Sequence, residues 1–384
     1  MKKYICIFAA FAAVLSCQKE APVIPSSTET LSVPATLTIE NLTNPLTRLG
    51  INTTDDCYEW TEGDQICVRQ NTTTDESKQA LTNAGASKVK NALSATSSNR
   101  SSTFSGTISL PYKTSSWYIF YPYSAVDAPG APGGTKGFNI ILPRKQSGTF
   151  ENFINDSDDK YSRLGECLMM TTDNFRVVVD TDLSELNEDK TMYSKVVFQS
   201  AQMNLMTPVI KLTIPEELKV KQITFKAYNI KEGTSTPLEI CGKFTMTMRG
   251  RIVTRYPSDI YGTTDTNKKN YEEIIIRRND SNDNKELIFG DVYITILPDL
   301  VKDTAMGTTS SAKELYFKFQ TTLNEADVNY KYVEVRQPIT NTLTAGKVLD
   351  LGTVPTNLEF IAPNASSQAS VNFSGTVPST TPAE

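Results

Sequence analysis

Leu31-Ser32-Val33-Pro34-Ala35-Thr36-Leu37-Thr38-Ile39 carries an apolar side chain at every odd position and Ser, Pro or Thr at every even one. A period of two marks a β-strand that buries one face. Pro34 has no amide to give to a ladder, so the strand is expected at a sheet edge or with that amide side unpaired. The same composition recurs at 65–68, 116–123, 138–142, 176–179, 195–198 and 209–214. It continues at 221–227, 273–277, 291–297, 315–319, 332–335 and 348–351, with Gly, Asn, Asp and Pro turns between. Long amphipathic helices are missing, and the helical candidates are short, 76–80 and 183–190. Many short strands rich in Val, Ile, Thr, Tyr and Phe predict an all-β fold of sandwich type.

Composition narrows the chemistry. The chain has 384 residues, 43 acidic against 38 basic side chains, and no histidine. Without imidazole there is no Ser/His/Asp or Cys/His triad and no histidine ligand, so no enzyme is expected and no cofactor is required. A net charge of -5, with no stripe of lysine and arginine, argues against a nucleic-acid partner. The length suits about two or three domains of roughly 100 to 200 residues.

The first seventeen residues read as an address. Met1-Lys2-Lys3 precedes an apolar run from Ile5 to Leu15, too short to span a bilayer core of about 30 Å. Val14-Leu15-Ser16-Cys17 then resembles a bacterial lipobox, which implies a signal peptide over 1–17 and a lipidated Cys17 in an outer-membrane lipoprotein. Residues 18–29 are polar and proline-bearing and suit a tether between lipid and fold. Four cysteines remain in the folded body, Cys57, Cys67, Cys167 and Cys241, too few for a disulfide scaffold and without a CxxC pair.

Further along, the chain turns acidic and polar over 150–159 and 181–190, and a domain boundary is placed near 190, giving domains 30–190 and 191–354. The stretch 71–103 is dense in Ser, Thr, Asn and Ala and is expected to be a long surface loop. Beyond Gly346-Lys347-Val348-Leu349-Asp350-Leu351 the chain keeps alternating in a tail over 355–384. Leu358, Phe360 and Ala362 alternate first, then Ala369, Val371, Phe373, Gly375 and Val377. Such a strand needs a groove to fill.

Trp60-Thr61-Glu62-Gly63-Asp64-Gln65-Ile66-Cys67-Val68 reads as a tryptophan to bury, a Gly-Asp turn, and a strand with Ile66 and Val68 on one face. With Thr47-Arg48, Phe104-Ser105-Gly106, Tyr118 to Pro122, Leu142-Pro143 to Gln146 and Ala345-Gly346-Lys347, it forms an ordered series over about 30–352. That series resembles fimbrillin-like proteins, the type V pilins and pilus accessory subunits of Gram-negative anaerobes. The resemblance implies two transthyretin-like Greek-key β-sandwich domains in tandem. It also implies an adhesive fimbrium whose subunits exchange strands after an arginine-specific protease removes the N-terminal strand. Here the removable strand is Leu31, Val33, Ala35, Leu37 and Ile39, and the cut falls between Arg48 and Leu49. The donor strand is Leu358, Phe360, Ala362, Val371, Phe373 and Val377, and the partners are other pilus subunits, the protease and the outer membrane through the lipid. The alternative is a monomeric surface lipoprotein that binds glycans through sandwich loops.

Other constellations carry less. Asp280-Asn282-Asp283-Asn284-Glu286 lacks the glycine an EF-hand loop needs at its sixth position, so no metal site is expected. Ser87-Lys88-Val89-Lys90 and Ser310-Ser311-Ala312-Lys313 have the spacing of a serine/lysine nucleophile but lie in polar segments rather than at the start of a buried helix. In the aromatic run Trp117 to Tyr123, strand alternation sends Trp117, Ile119 and Tyr121 to one face and Tyr118 and Phe120 to the other, as a core strand does.

Overall fold

The computed structural model describes residues 32–40, 59–71, 90–113, 116–126, 137–149, 161–172, 176–247 and 252–255. It further describes 269–278, 287–297, 312–323, 330–339, 343 and 348–362. Almost every described element is a strand. In chain order they are β1 (Ser32–Ile39), β2 (Gln65–Asn71), β3 (Asn91–Ala95), β4 (Ser102–Ser109), β5 (Ser116–Phe120), β6 (Gly137–Leu142), β7 (Lys145–Gln146) and β8 (Met170–Thr171). Next come β9 (Arg176–Val177), β10 (Glu185–Leu186), β11 (Tyr193–Val197), β12 (Asn204–Leu205), β13 (Val209–Ile214), β14 (Gln222–Lys231) and β15 (Thr234–Pro237). The last are β16 (Gly242–Thr247), β17 (Ile252–Arg255), β18 (Ile274–Ile276), β19 (Gly290–Thr295), β20 (Glu314–Gln320), β21 (Tyr332–Pro338) and β22 (Val348–Thr353). Two single-turn helices, α1 (Leu164–Cys167) and α2 (Lys269–Glu272), punctuate them. No helix among the described residues is long and apolar enough to cross a membrane.

The largest sheet has the order β10-β11-β1-β4-β3-β2-β5-β9. Its two end strands belong to one continuous stretch, 176–186. Val179 in that stretch bridges Phe198 just after β11. The Asp180 amide donates to the Val197 carbonyl at 2.8 Å, and the Gln199 amide donates to the Val178 carbonyl at 2.8 Å. The sheet therefore closes on itself around a core that includes Trp60, Phe104, Trp117, Val196 and Phe198.

A second core gathers Ile210, Leu212, Phe225, Ile294, Phe317 and Phe319. It lies among the sheets β19-β13-β22 and β21-β20-β14-β18-β7. β6 pairs with β16, and β7 pairs in parallel with β18, so this part of the molecule recruits strands from before residue 190. β2 and β5 form the wall between the two cores. Ile66 and Val68 point into the first core and Cys67 into the second; Trp117 and Ile119 face the first, Tyr118 and Phe120 the second. The aromatic run is thus core on both faces, in the alternation its sequence predicts.

Two expectations are corrected. Part of the stretch expected as a loop over 71–103 forms β3 and the start of β4, where Leu93, Ala95 and Phe104 are fully or nearly fully buried between Ser and Thr neighbours. The helix expected over 183–190 is instead a turn, β10 and a second turn. Side chains dictate this: Asp180 Oδ1 accepts from the amides of Asp182 and Leu183, and Asn187 Oδ1 accepts from those of Thr191 and Met192. Local bonds of that kind compete with a helical ladder. The remaining helical candidate, 76–80, lies outside the described residues.

Candidate functional site

β1 is the candidate site. It pairs antiparallel with β4 along its whole length, from Ser32↔Ser109 to Ile39↔Ser102. On its other side it runs parallel to β11, with Ala35↔Val196 and Thr36↔Val197 in register. Beyond β11 the pairing continues: the Phe198 and Ala201 amides donate to the carbonyls of Thr36 and Thr38 at 2.9 and 3.0 Å, and the Glu40 amide donates to the Ala201 carbonyl at 2.9 Å. β1 is therefore interior to the sheet, not at an edge.

Those bonds also place Pro34. Even-numbered backbone groups of β1 face β11, and the register with β11 begins at Ala35. The missing amide thus falls at the start of the short parallel ladder and subtracts nothing from the long antiparallel one. Of the two positions open to a strand proline, the unpaired amide side is the one taken.

Val33, Ala35, Leu37 and Ile39 are 4%, 1%, 1% and 0% exposed. Ser32, Pro34 and Thr38 face outward and are exposed. On that outer face the hydroxyls of Ser32 and Ser109 meet at 3.1 Å, and those of Thr38 and Thr103 at 3.3 Å. Burial of the Val, Leu and Ile side chains stabilises the strand by about 1.5–3 kcal/mol each before ordering costs. Trp60 and Trp117, the two tryptophans of the chain, lie in the same core. Trp60 meets Phe104 and Tyr121 edge-on at centroid distances of 4.9 and 5.2 Å.

The turn before β2 brings a charge to this core. Asp64 Oδ2 accepts from the Thr61 amide at 2.8 Å, and Arg163 lies 3.6 Å from Oδ1. Burial raises the Asp64 carboxyl above its ordinary value, opposed by the Thr61 bond and by Arg163. Tyr121, beside it, is pushed well up by burial. Cys67, Cys167 and Cys241 are buried, and desolvation pushes Cys67 up to about 12. These are inert side chains. Among the described residues no group of three Cys, Asp or Glu side chains is placed to hold a metal ion.

The first part of the tail is described. Leu358 is buried in the second core and Phe360 packs against it. Ile361 and Tyr332 exchange backbone hydrogen bonds at 2.9 and 3.0 Å, which ties the tail beside the outer edge of β21. Ala362 is exposed. Cys17, Leu31, Arg48, Leu49, Val371, Phe373 and Val377 lie outside the described residues.

Sequence reasoning found β1 and most of its inward side chains but missed β4, its principal partner. Phe104, Gly106 and Ile108 lie at alternate positions and were the available signal.

No family model matches the chain, and no curated protein matches it. Similar solved structures include a protein assigned to cell adhesion from Bacteroides ovatus, 9% identical, with a TM-score of 0.38 over 84% of this chain and 92% of that one. Another assigned to cell adhesion, from Bacteroides uniformis, is 11% identical, with a TM-score of 0.37 over 85% and 93%. The tip fimbrial protein Mfa3 from Porphyromonas gingivalis, truncated at its C-terminus, is 9% identical, with a TM-score of 0.30 over 86% and 98%.

Proposed function

We propose that the protein is a structural subunit of an adhesive cell-surface fimbrium. In this reading it is exported as an outer-membrane lipoprotein through Cys17, and an arginine-specific protease cuts between Arg48 and Leu49. The tail of another subunit then takes the place of β1. The observation that carries the reading is the position of β1 itself. It is an interior strand held to the body through one face, and the only chain joining it to β2 contains Arg48.

Loss of β1 would leave the long flank of β4 and the shorter flank of β11 unpaired, above a trough lined by Phe104, Ile108, Val196 and Phe198. Such an edge accepts a strand by backbone pairing, with alternate side chains filling the trough. The root of the tail is held by its own subunit at Leu358 and Ile361, so the exchanging part is the chain beyond Ala362. In this reading the chain forms tandem sandwich domains with a boundary near 190, although strands from each side of that boundary contribute to both cores. The partners are other fimbrial subunits, and no cofactor enters.

The test is the N-terminal residue of the protein recovered from the cell surface as high-mass material. Leu49, with a ladder in mild detergent that disappears when 363–384 are deleted, supports the reading. An intact lipidated Cys17 with no ladder overturns it and leaves a tethered monomer, for which saturable oligosaccharide binding is the next measurement.

A further inference from the structure

The slot occupied by β1 has a size profile. Its four inward positions lie opposite Ile108, Gly106, Phe104 and Ser102 of β4, and β1 fills them with Val33, Ala35, Leu37 and Ile39. The second position is the narrow one. A Cβ on Gly106 would stand 2.6 Å from the Ala92 carbonyl oxygen and 3.1 Å from Leu93 Cδ2. Leu93, the partner of Gly106 on β3, fills the space a side chain at Gly106 would take, and Ala35, across from the glycine on β1, is itself 1% exposed. A strand entering this slot must therefore set Gly or Ala at that point and larger apolar residues at the other three.

Hydrogen bonding leaves the direction of entry open, because β4 and β11 flank the slot in opposite senses. Any incoming strand meets one parallel and one antiparallel neighbour. Side-chain size then decides. The chain beyond Ala362 has one alternating apolar series, Ala369, Val371, Phe373, Gly375 and Val377. If it ran as β1 does with Gly375 at the narrow point, the fourth pocket would receive Ser379. With Ala369 there instead, the first pocket would receive Ser367. Run in the opposite direction with Ala369 there, Ser367 would fall in the third pocket.

Run in the opposite direction with Gly375 there, every pocket is filled: Val377 replaces Val33, Gly375 replaces Ala35, Phe373 replaces Leu37 and Val371 replaces Ile39. Thr376, Ser374 and Asn372 then take the outward places of Pro34, Thr36 and Thr38, whose side chains β1 leaves exposed or half-buried. Pro378 falls outside these four pockets, and no proline interrupts 371–377.

The geometry points to residues 371–377 of a second copy as the occupant, inserted antiparallel to the departed β1 with Gly375 against Gly106, which acts as the selectivity filter of the slot. This rests on the strand-exchange reading above. Residues 363–370 bridge the donor's body and the slot; eight extended residues reach about 26–29 Å.

The experiment uses full-length chains made in their native cell and harvested from its surface, with paired cysteines on the outer face of the slot. Thr103, the partner of Thr38, would face Asn372 in the inferred direction; Thr107, the partner of Pro34, would face Ser374 if the strand ran the other way with Gly375 in place. We expect Thr103→Cys with Asn372→Cys to give disulfide-linked multimers and Thr107→Cys with Ser374→Cys to give none. Separately, Gly375→Leu should reduce the detergent-resistant ladder at least about tenfold, while Gly375→Ala leaves it unchanged. Linkage through Thr107 and Ser374, or a normal ladder with Gly375→Leu, overturns the register while the exchange reading stands. If the unmodified chain forms no ladder, the exchange reading itself has failed.

Discussion

β1 and β5 are both interior strands of the same closed sheet, yet they are held in different ways. β5 sends Trp117 and Ile119 into one core and Tyr118 and Phe120 into the other. β1 buries Val33, Ala35, Leu37 and Ile39 on one side and shows Ser32, Pro34 and Thr38 to solvent on the other. Its antiparallel ladder with β4 runs its whole length. What it lacks is a second apolar face. Hydrogen bonding alone therefore does not decide whether a strand can be given up, since a lost amide–carbonyl bond to protein is exchanged for one to water at a net cost of about 1 kcal/mol. Removal of β5 would uncover both cores, whereas removal of β1 would uncover one surface of one core.

The sharpest way to break this comparison is to empty a pocket under β5. Phe120→Ala is expected to destabilise the whole described body by about 3–5 kcal/mol, read from chemical denaturation. Leu37→Ala should cost about 2–4 kcal/mol in the intact chain. It should also act locally, speeding the release of β1 after arginine-specific proteolysis, with a red shift of the fluorescence of Trp60 and Trp117. Equal effects of the two substitutions on global unfolding, with no change in release, would remove the distinction between the strands.

A smaller effect concerns Asp64. Its carboxyl is raised in the folded protein, so the folded state binds the proton more tightly than the unfolded chain does. The stability this lends is complete below the ordinary carboxyl value near 3.8 and is lost as pH rises through the raised folded value. The stability of the parent protein relative to Asp64→Asn should therefore increase as pH is lowered from 7 to below 4; a flat difference would show that burial is not what governs this carboxyl. Thr38→Ala closes the series. It removes an exposed hydroxyl pair and should change stability by no more than about 0.5 kcal/mol.

How much of this could be read from the sequence follows the same division. The alternation of 31–39 and of 117–121 was legible because consecutive odd and even positions differ sharply in polarity. β3 and β4 were not, because their burial is carried by single side chains, Leu93, Ala95, Phe104 and Ile108, set among Ser and Thr. Serine and threonine on a strand's outer face look like loop composition until the partner strand is known. The segment 183–190 misled for a related reason. Leu183 looked like one face of a helix but is 58% exposed, and the decisive groups are the Asp180 and Asn187 carboxyl and amide oxygens that bind nearby amides. The crowding at Gly106 was wholly hidden, since it depends on Leu93, on a strand the sequence did not reveal.

The closure of the large sheet through 176–186 has a further consequence. A ring of strands offers a neighbour no unsatisfied flank, so on the proposed reading this sheet would not pair with another copy before the cut. On that reading, withdrawal of β1 would open this sheet at a single stroke, with two raw flanks bared together. Timing of self-association would then be set by when the polypeptide is cut, not by how much of it is present.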